Sequence, residues 1–114
     1  MNESISRERA PHYTWGDGCQ GWHLVRTGEL SVIEERMPPG TMETRHRHAR
    51  ARQLFYVISG TLQIEVEEVQ HHLVAREGLE VPPGAAHQVM NSGPGVAEFL
   101  VISQPPSQGD REPA

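Results

Sequence analysis

The most informative stretch of this 114-residue chain is GTMETRHRHARARQLFYVISG, which spans residues 40–60 and is bounded by glycines. His46 and His48 are separated by one residue, so on a strand both side chains point to the same face. Gln53 opens the run QLFYVIS, whose aromatic and β-branched residues are typical of a strand. An inward strand face normally carries Val or Ile, so two imidazoles there need a polar partner. A metal ion shared by the two rings would be such a partner.

A second stretch, PPGAAHQVMN at residues 82–91, contributes a third histidine. His-x-His pairs arise by chance about 0.4 times in a chain of this composition, so the first pair alone says little. The spaced set Pro82-x-Gly84-x-x-His87-x-x-x-Asn91 is rarer, on the order of 10⁻³ per sequence. A Pro-Pro-Gly corner would deliver His87 at the start of a strand. We therefore expect three imidazoles to meet around one divalent ion.

The rest of the chain alternates apolar and polar residues between turn signals, and no stretch shows a helical period over three turns. Residues 62–66 alternate as a half-buried strand, and residues 96–102 form an apolar run that predicts a strand covered on both sides. The Ser59–Gly60 break predicts that residues 53–59 and 61–68 pair as a hairpin. Roughly eight or nine short strands of this kind predict an all-β sandwich or barrel.

Composition excludes several functional classes. The net charge is −5 and the pI is about 5.8, which argues against nucleic-acid or anionic-membrane binding. All ten basic residues are Arg, so chemistry that needs a lysine is excluded. The single Cys19 rules out an internal disulfide framework and a cysteine zinc finger. We find no run of about 20 apolar residues and no secretory signal pattern, so we expect a cytoplasmic protein.

The chain length predicts one domain with loose ends. We expect residues 1–20 to form an N-terminal arm that is loosely ordered or docked, and residues 21–103 to form the β-domain. Residues 104–114 hold three prolines and few apolar side chains. They predict an extended C-terminal tail, docked on the domain or on a partner chain.

The motifs at residues 40–60 and 82–91 resemble the two conserved motifs of the cupin superfamily, and the resemblance covers about residues 30–103. It implies a single-domain cupin-type jelly-roll barrel, also called a double-stranded β-helix. It implies one divalent transition metal, Fe, Mn, Ni, Co, Cu or Zn, in the barrel mouth. The implied ligands are His46, His48, His87 and, at the usual glutamate position, Gln53. Small cupins commonly form dimers through edge strands, so the resemblance also implies a homodimer.

Two features depart from the family pattern. Gln53 replaces the usual glutamate, so the ligand set is neutral and a bound ion keeps its full charge of +2. A neutral set favours an anionic substrate or hydroxide, and it lacks a carboxylate that could act as a general base. Gly78 lies three residues before Pro82 instead of five, so either the strand is shorter or Gly78 is not the motif glycine.

Side-chain parity nominates the residues around the metal. Met42 and Thr44 share parity with the histidine pair, and Phe55 and Val57 share parity with Gln53. Plain core packing is the alternative for each of them. Asn91 would either orient a substrate or cap the turn after its strand. The predicted pocket residues are Met42, Thr44, Phe55, Tyr56, Val57 and Asn91.

These observations leave three functional hypotheses. The first is a metal-dependent enzyme acting on a small organic molecule, with a dioxygenase-type reaction as the leading case. The second is a non-catalytic module that binds or senses a sugar or a small acid around a structural metal, which the lack of an evident general base favours. The third is a metal-independent isomerase with His87 as its base.

Overall fold

The structure, a computed structural model, describes residues 3–114, and that range consists of β-strands, turns and loops. Nothing in the described range could cross a membrane as a helix. The strands follow in chain order: β1 His12–Trp15, β2 Cys19–Arg26, β3 Ser31–Met37, β4 Thr41–Met42, β5 His46–Arg47, β6 Arg52–Ser59, β7 Leu62–Val66, β8 Val69–Leu73, β9 Gly78–Val81, β10 His87–Asn91, β11 Ala97–Gln104 and β12 Glu112–Pro113.

The strands form two antiparallel sheets of six strands each. The first sheet has the order β1-β2-β3-β11-β6-β9. The second sheet has the order β12-β5-β10-β7-β8, and β4 also pairs with β10. Strands that are distant in sequence therefore lie side by side. Strand β11, for example, pairs with β3 on one side and with β6 on the other. This arrangement of two packed sheets confirms the all-β jelly-roll prediction.

Alternation along each strand builds the core between the sheets. In β11, Ala97, Phe99 and Val101 point inward and are buried, while Leu100 and Ile102 are half-buried on the outer face. Burying a side chain as large as Phe99 contributes about 2–3 kcal/mol to stability. The core cluster comprises Cys19, Ile33, Met37, Phe55, Val57, Leu62, Ile64, Leu73, Val81, Val89, Ala97, Phe99 and Val101.

The predicted hairpin across Ser59–Gly60 is wrong. Strand β6 pairs with β11 and β9 in the first sheet, whereas β7 pairs with β10 and β8 in the second. The short break carries the chain from one sheet to the other. Gly60 has φ +77°, and a Cβ there would lie 2.3 Å from the carbonyl oxygen of Val96. Only glycine fits this crossing, because both the backbone angle and the space exclude a side chain.

Local sequence predicted the two Pro-Pro-Gly corners but not the turn between β7 and β8. The Pro-Pro-Gly corners place Gly40 at φ +80° and Gly84 at φ +83°, as their sequence indicates. The tight hairpin between β7 and β8 has Glu67 at φ 47° and Glu68 at φ 70°. Two successive positive φ angles suit the twist of paired strands, but sequences at such turns usually carry Asn or Gly. Two glutamates gave no such signal.

The N-terminal region lies against the first sheet. Residues 12–20, which the sequence assigned to the arm, form β1 and the start of β2 at the edge of the first sheet. Arg7 stacks on the Trp22 ring at 4.4 Å and forms ion pairs with Glu34 and Glu98 on the outer face. This arrangement docks the segment before β1 onto the sheet.

Candidate metal centre

The three predicted histidines meet at one end of the space between the sheets. His46 in β5 and His87 in β10 are direct cross-strand partners, and their ring centroids lie 4.5 Å apart. The His48 ring lies 4.8 Å from the His46 ring and 5.6 Å from the His87 ring. All three residues are buried, and one nitrogen of each lies within 4.8 Å of the others. The cluster could hold a metal ion.

Each ring is turned by a hydrogen bond from its other nitrogen. The Nδ1 atoms of His46 and His87 donate to the carbonyl oxygens of Thr44, at 2.7 Å, and Ala85, at 2.9 Å. His48 Nδ1 donates to the carbonyl of Asp110, which is 62 residues away in sequence, at 2.7 Å. A carbonyl oxygen can only accept, so each neutral ring carries its proton on Nδ1. The Nε2 lone pairs are left free for a metal.

Burial keeps the imidazoles of His46 and His87 neutral. Desolvation lowers the pKa of His46 to about 4, although its hydrogen bond to Thr44 acts in the opposite direction. Desolvation also lowers the pKa of His87, against the hydrogen bond to Ala85. Metal ligation needs unprotonated nitrogen, so both rings are in the form that binds an ion at neutral pH.

Gln53 adds a fourth donor atom to the cavity that His46 and His48 line. Its Nε2 donates to Ser103 Oγ at 3.0 Å, and this bond turns the amide oxygen away from Ser103. That oxygen is buried without a hydrogen-bond partner, and so is Nε2 of His87. Buried polar atoms are normally partnered. Two unpartnered acceptors, in Gln53 and in a ring of the cluster, fit the neutral ligand set that a divalent transition metal takes.

His46 and His48 line a cavity of about 290 Å³ that also contains two carboxyl groups. Glu35 lies on β3 and accepts a hydrogen bond from the Tyr13 hydroxyl at 2.7 Å. Glu43 follows β4, accepts the backbone N–H of Val89 at 3.0 Å, and lies 3.8 Å from His46 Nδ1. The cavity-lining residues are Tyr13, Trp15, Ile33, Glu35, Glu43, His46, His48, Gln53, Phe55, Val101, Ser107, Gln108, Gly109 and Arg111.

The environment of both carboxyl groups disfavours their charge. Desolvation raises the pKa of Glu35 to about 7, although the hydrogen bond from Tyr13 works against the shift. Desolvation, with the nearby charge of Glu35, raises the pKa of Glu43 to about 8. The same surroundings raise the pKa of Tyr13, chiefly through burial. Two carboxyl groups that titrate near neutral pH are suited to accept and donate protons.

Sequence reasoning missed both glutamates, for different reasons. Glu35 has the same parity as Ile33, so a carboxylate at an inward position of β3 was a readable signal. Glu43 gave no signal because it lies in the irregular segment between β4 and β5. Its inward orientation depends on Val89 of β10, a residue 46 positions away.

The same irregular segment explains why the parity argument fails for Met42 and Thr44. Alternation holds only along a continuous strand, and here β4 ends before β5 begins. The Met42 side chain is 58% exposed and contacts Gln88. Thr44 contributes its carbonyl oxygen to His46 and Arg111 and stands behind the histidines.

Three further predicted pocket residues lie outside the cavity, and one lines it. Val57 is fully buried in the hydrophobic core, away from the cavity. Tyr56 faces outward because it has the opposite parity to Gln53, and its ring would contact a Cβ placed at Gly78. Asn91 binds the turn after β10, where its Oδ1 accepts the N–H of Gly93. Phe55 lines the cavity as predicted.

A family profile described as "Cupin domain" matches residues 33–103. The chain belongs to the cupin family. "Germin-like protein 1-2" from Oryza sativa subsp. japonica is 29% identical over 90 residues, which are 75% of this chain and 40% of that protein. This cupin thus spans about 40% of the length of that relative.

Solved structures support the cupin fold. KdgF from Halomonas sp. superposes with a TM-score of 0.83 and 19% identity, over 93% of this chain and 96% of that one. A predicted oxalate decarboxylase from Thermotoga maritima superposes with a TM-score of 0.82 and 16% identity, over 91% and 100%. At these identities the likeness shows the fold.

Proposed function

We propose that this cupin is a metal-dependent enzyme that transfers protons on a small, oxygen-rich organic acid. The observation that carries the proposal is the pair of carboxyl groups, Glu35 and Glu43, in the cavity that His46 and His48 of the histidine cluster line. Nothing in the sequence displayed a general base, and that lack favoured a non-catalytic module. Two buried carboxyl groups beside the cluster supply the missing acid–base chemistry.

The metal would be held by His46, His48, His87 and Gln53. When bound, a divalent ion supplies Lewis-acid polarisation of a carbonyl or hydroxyl oxygen. The neutral ligand set keeps the ion's charge, and Arg111 adds a cation to the cavity wall. Because burial disfavours the charged forms of Glu35 and Glu43, the ion and Arg111 would give the cavity a net attraction for an anionic molecule. A small hydroxy acid, keto acid or sugar acid fits this charge.

The two carboxyl groups would then have separate roles in proton transfer. In its charged form, Glu43, next to His46, is placed to take a proton from a carbon next to the polarised oxygen. Glu35, with the Tyr13 hydroxyl bonded to it, is placed to return a proton at a second position. Phe55 and Trp15 line the cavity with apolar surface that limits access of water. Isomerisation and proton-assisted lyase reactions both need this pair of roles.

Proton exchange tests the proposal directly. Protein purified without a histidine tag is analysed for metals, loaded with Zn²⁺, Ni²⁺ or Fe²⁺, and incubated in D₂O with a panel of small hydroxy, keto and sugar acids. We expect deuterium to enter a C–H position of at least one compound, and the rate to fall by about 100-fold or more in Glu43→Gln. Glu34→Gln is the matched control, because Glu34 neighbours Glu35 but faces outward to Arg7.

The other hypotheses correspond to different results of the same screen. Consumption of O₂ with an Fe²⁺-loaded sample would support the dioxygenase hypothesis, which the neutral ligand set also favours. Ligand binding by thermal shift without exchange or turnover would support a binding or sensing module. Full activity after chelation would support a metal-independent isomerase with His87 as base.

Two further expectations stay proposals. We propose a homodimer, supported by the exposed apolar side chains of Leu54 and Ile58 on the outer face of the first sheet. A cytoplasmic location stays a proposal, and a function without a nucleic-acid or anionic-membrane partner is supported by the acidic composition.

A further inference from the structure

The last ten residues form part of the cavity. Ser107, Gln108, Gly109 and Arg111 contribute to its wall, opposite residues from the first sheet. Strand β12, Glu112–Pro113, then pairs with β5, the strand that carries His46. The C-terminal segment, residues 105–114, therefore closes the end of the space where the histidines lie.

Asp110 attaches this segment to the loop after β5. Its carboxylate accepts three backbone N–H groups: Oδ1 accepts from Ala49 at 3.0 Å, and Oδ2 accepts from Arg50 and Ala51 at 2.9 Å each. These hydrogen bonds, led by the one from Arg50, lower the pKa of Asp110. Asp110 is 7% exposed, although it lies in a polar tail that the sequence predicted to be extended.

The same residue holds a predicted metal ligand. The backbone carbonyl of Asp110 accepts the Nδ1 proton of His48 at 2.7 Å. His46 and His87 depend on carbonyls two residues before them, which their own strands position. His48 depends on a carbonyl from the far end of the chain. Its tautomer and ring direction are therefore set only when the C-terminal segment is in place.

We propose that Asp110 is a positioning residue that couples attachment of the C-terminal segment to metal binding by His48. The carboxylate fixes the segment, and the fixed segment presents the carbonyl that turns Nε2 of His48 toward the other imidazoles. Coupling of this kind is reciprocal: an ion that needs the oriented ring must also stabilise the attached segment. The inference rests on the metal centre proposed above.

The first experiment measures metal affinity. Zn²⁺ dissociation constants are obtained by competition with a chromogenic chelator for the wild type, Asp110→Ala, Asp110→Asn and Glu112→Gln. We expect about 10- to 100-fold weaker binding for Asp110→Ala, a smaller loss for Asp110→Asn, and no change for Glu112→Gln. Glu112 is the matched control because it is an exposed acidic residue in the same segment.

The second experiment observes the ring itself. In metal-free protein with ¹⁵N-labelled histidine, the wild type should show His48 protonated on Nδ1, and Asp110→Ala should show a mixture of tautomers. His46 and His87 should stay protonated on Nδ1 in both proteins. A general loss of structure would affect all three rings, so this pattern separates positioning from unfolding.

The third experiment uses the wild type alone and covers the case in which Asp110→Ala does not fold. Hydrogen exchange of the Ala49, Arg50 and Ala51 amides is compared with and without Zn²⁺. We expect Zn²⁺ to slow their exchange at least about fivefold. The amides of Glu29 and Leu30, which the Thr27 hydroxyl holds in a distant turn, should be unchanged.

Different failures have different meanings. If the wild type does not bind Zn²⁺, the metal centre is wrong and this inference is overturned with it. If the wild type binds Zn²⁺ and folded Asp110→Ala binds it equally well, the inference alone is overturned. Equal exchange of the loop amides with and without Zn²⁺ would also overturn it.

Discussion

Individual atoms decide what the cavity can bind. His46 and His87 donate through Nδ1 to nearby carbonyls, and this leaves Nε2 unprotonated at a buried position. Gln53 is held by Ser103 so that its amide oxygen is buried without a partner. A donor atom that already has no competing hydrogen bond gives up little when it binds an ion. The fold already holds these atoms in position, so binding an ion requires little rearrangement.

Removing one imidazole should remove the metal. His46→Ala and His87→Ala each delete a donor, so we expect Zn²⁺ binding to weaken by about 100-fold or more. Isothermal titration calorimetry on each variant measures this change. His71→Ala, a histidine on β8 outside the cluster, should bind as the wild type does. Wild-type affinity in both cluster variants would contradict ligation by these rings.

The neutral donor at position 53 makes a graded prediction. Gln53→Glu adds an anionic oxygen where the amide oxygen lies, and Gln53→Ala removes the donor. We expect Zn²⁺ to bind about tenfold more tightly to Gln53→Glu and about tenfold more weakly to Gln53→Ala, or about 1.4 kcal/mol in each direction. Competition with a chelator measures the order. If the three proteins have the same affinity, Gln53 is not a ligand.

Glu35 should make stability depend on pH. Its folded-state pKa of about 7 lies above its ordinary value of 4.5, so the folded protein binds the proton more tightly and loses stability as the pH rises from about 4.5 to about 7. The charged groups facing it are Glu43 and Arg111, and Tyr13 donates to it. Glu35→Gln cannot ionise, so its stability relative to the wild type should rise across this window, by about 3 kcal/mol at most.

Urea unfolding of metal-free protein at pH 5 and pH 8 measures the difference. The difference in the free energy of unfolding between Glu35→Gln and the wild type should be more favourable to the variant at pH 8 than at pH 5. Glu29→Gln, in the exposed turn between β2 and β3, should differ from the wild type by the same amount at both pH values. A gain for Glu35→Gln at pH 5 that disappears at pH 8 would reverse the sign and contradict the assignment.

Three adjacent strands, β1, β2 and β3, position the carboxyl group of Glu35. Tyr13 on β1 pairs with Gly21 on β2, and Gly21 pairs with Glu35 on β3. The Tyr13 ring lies across Gly21, where an added Cβ would be 2.2 Å from Cζ of the ring. The missing side chain lets the hydroxyl of Tyr13 pass over β2 and reach Glu35. The edge strand β1 thus belongs to the site.

Filling this space should displace Tyr13. Gly21→Ala overpacks the position, so we expect a loss of about 1–3 kcal/mol in the free energy of unfolding and a lower rate of the proposed proton transfer. Thermal unfolding and the D₂O exchange assay measure the two effects. Gly28→Ala is the control, because a Cβ there meets nothing within 4 Å. Unchanged stability in Gly21→Ala would show that the Tyr13 ring does not rest on this strand.

At the scale of the whole molecule, the two sheets have different outer faces. The first sheet presents apolar side chains outward, including Leu54 at 38% exposed and Ile58 at 42% exposed on β6, with Leu100 and Ile102 half-buried on the neighbouring strand β11. Another part of this face is covered by Arg7, which forms ion pairs with the outward-facing Glu34 and Glu98. A contiguous apolar patch on a small domain is typical of an interaction surface. A second copy of the chain, packed sheet against sheet, would bury it.

Light scattering after size-exclusion chromatography tests the homodimer. We expect the wild type to have twice the chain mass and Leu54→Arg to be monomeric, because a charge would be buried in the interface. Val69→Arg is the matched control, since Val69 is 56% exposed but lies on the second sheet. A monomeric wild type, or equal masses for the two variants, would contradict this interface.

The ligand spacing, the glycine corners and the alternating strands could all be predicted from the sequence, because each depends on neighbouring residues. Side-chain parity places His46 beside His48, and a proline–glycine corner sets a turn wherever it occurs. The Pro-Pro-Gly corner also indicated the third imidazole, His87, and the resemblance carried by these motifs then supplied the jelly-roll type of the all-β fold. Parity was reliable within continuous strands and failed between β4 and β5, where the strand is interrupted.

Tertiary structure decided which strands meet and what shares the cavity with the histidines. The chain crosses between sheets at Gly60 because β6 and β7 each find better partners elsewhere, and no local pattern reports those partners. Glu43 turns inward toward an amide of β10, and Asp110 reaches a loop some 60 residues away. Such contacts depend on the packing of distant segments, so local sequence specifies the pieces of the site and long-range packing determines its chemistry.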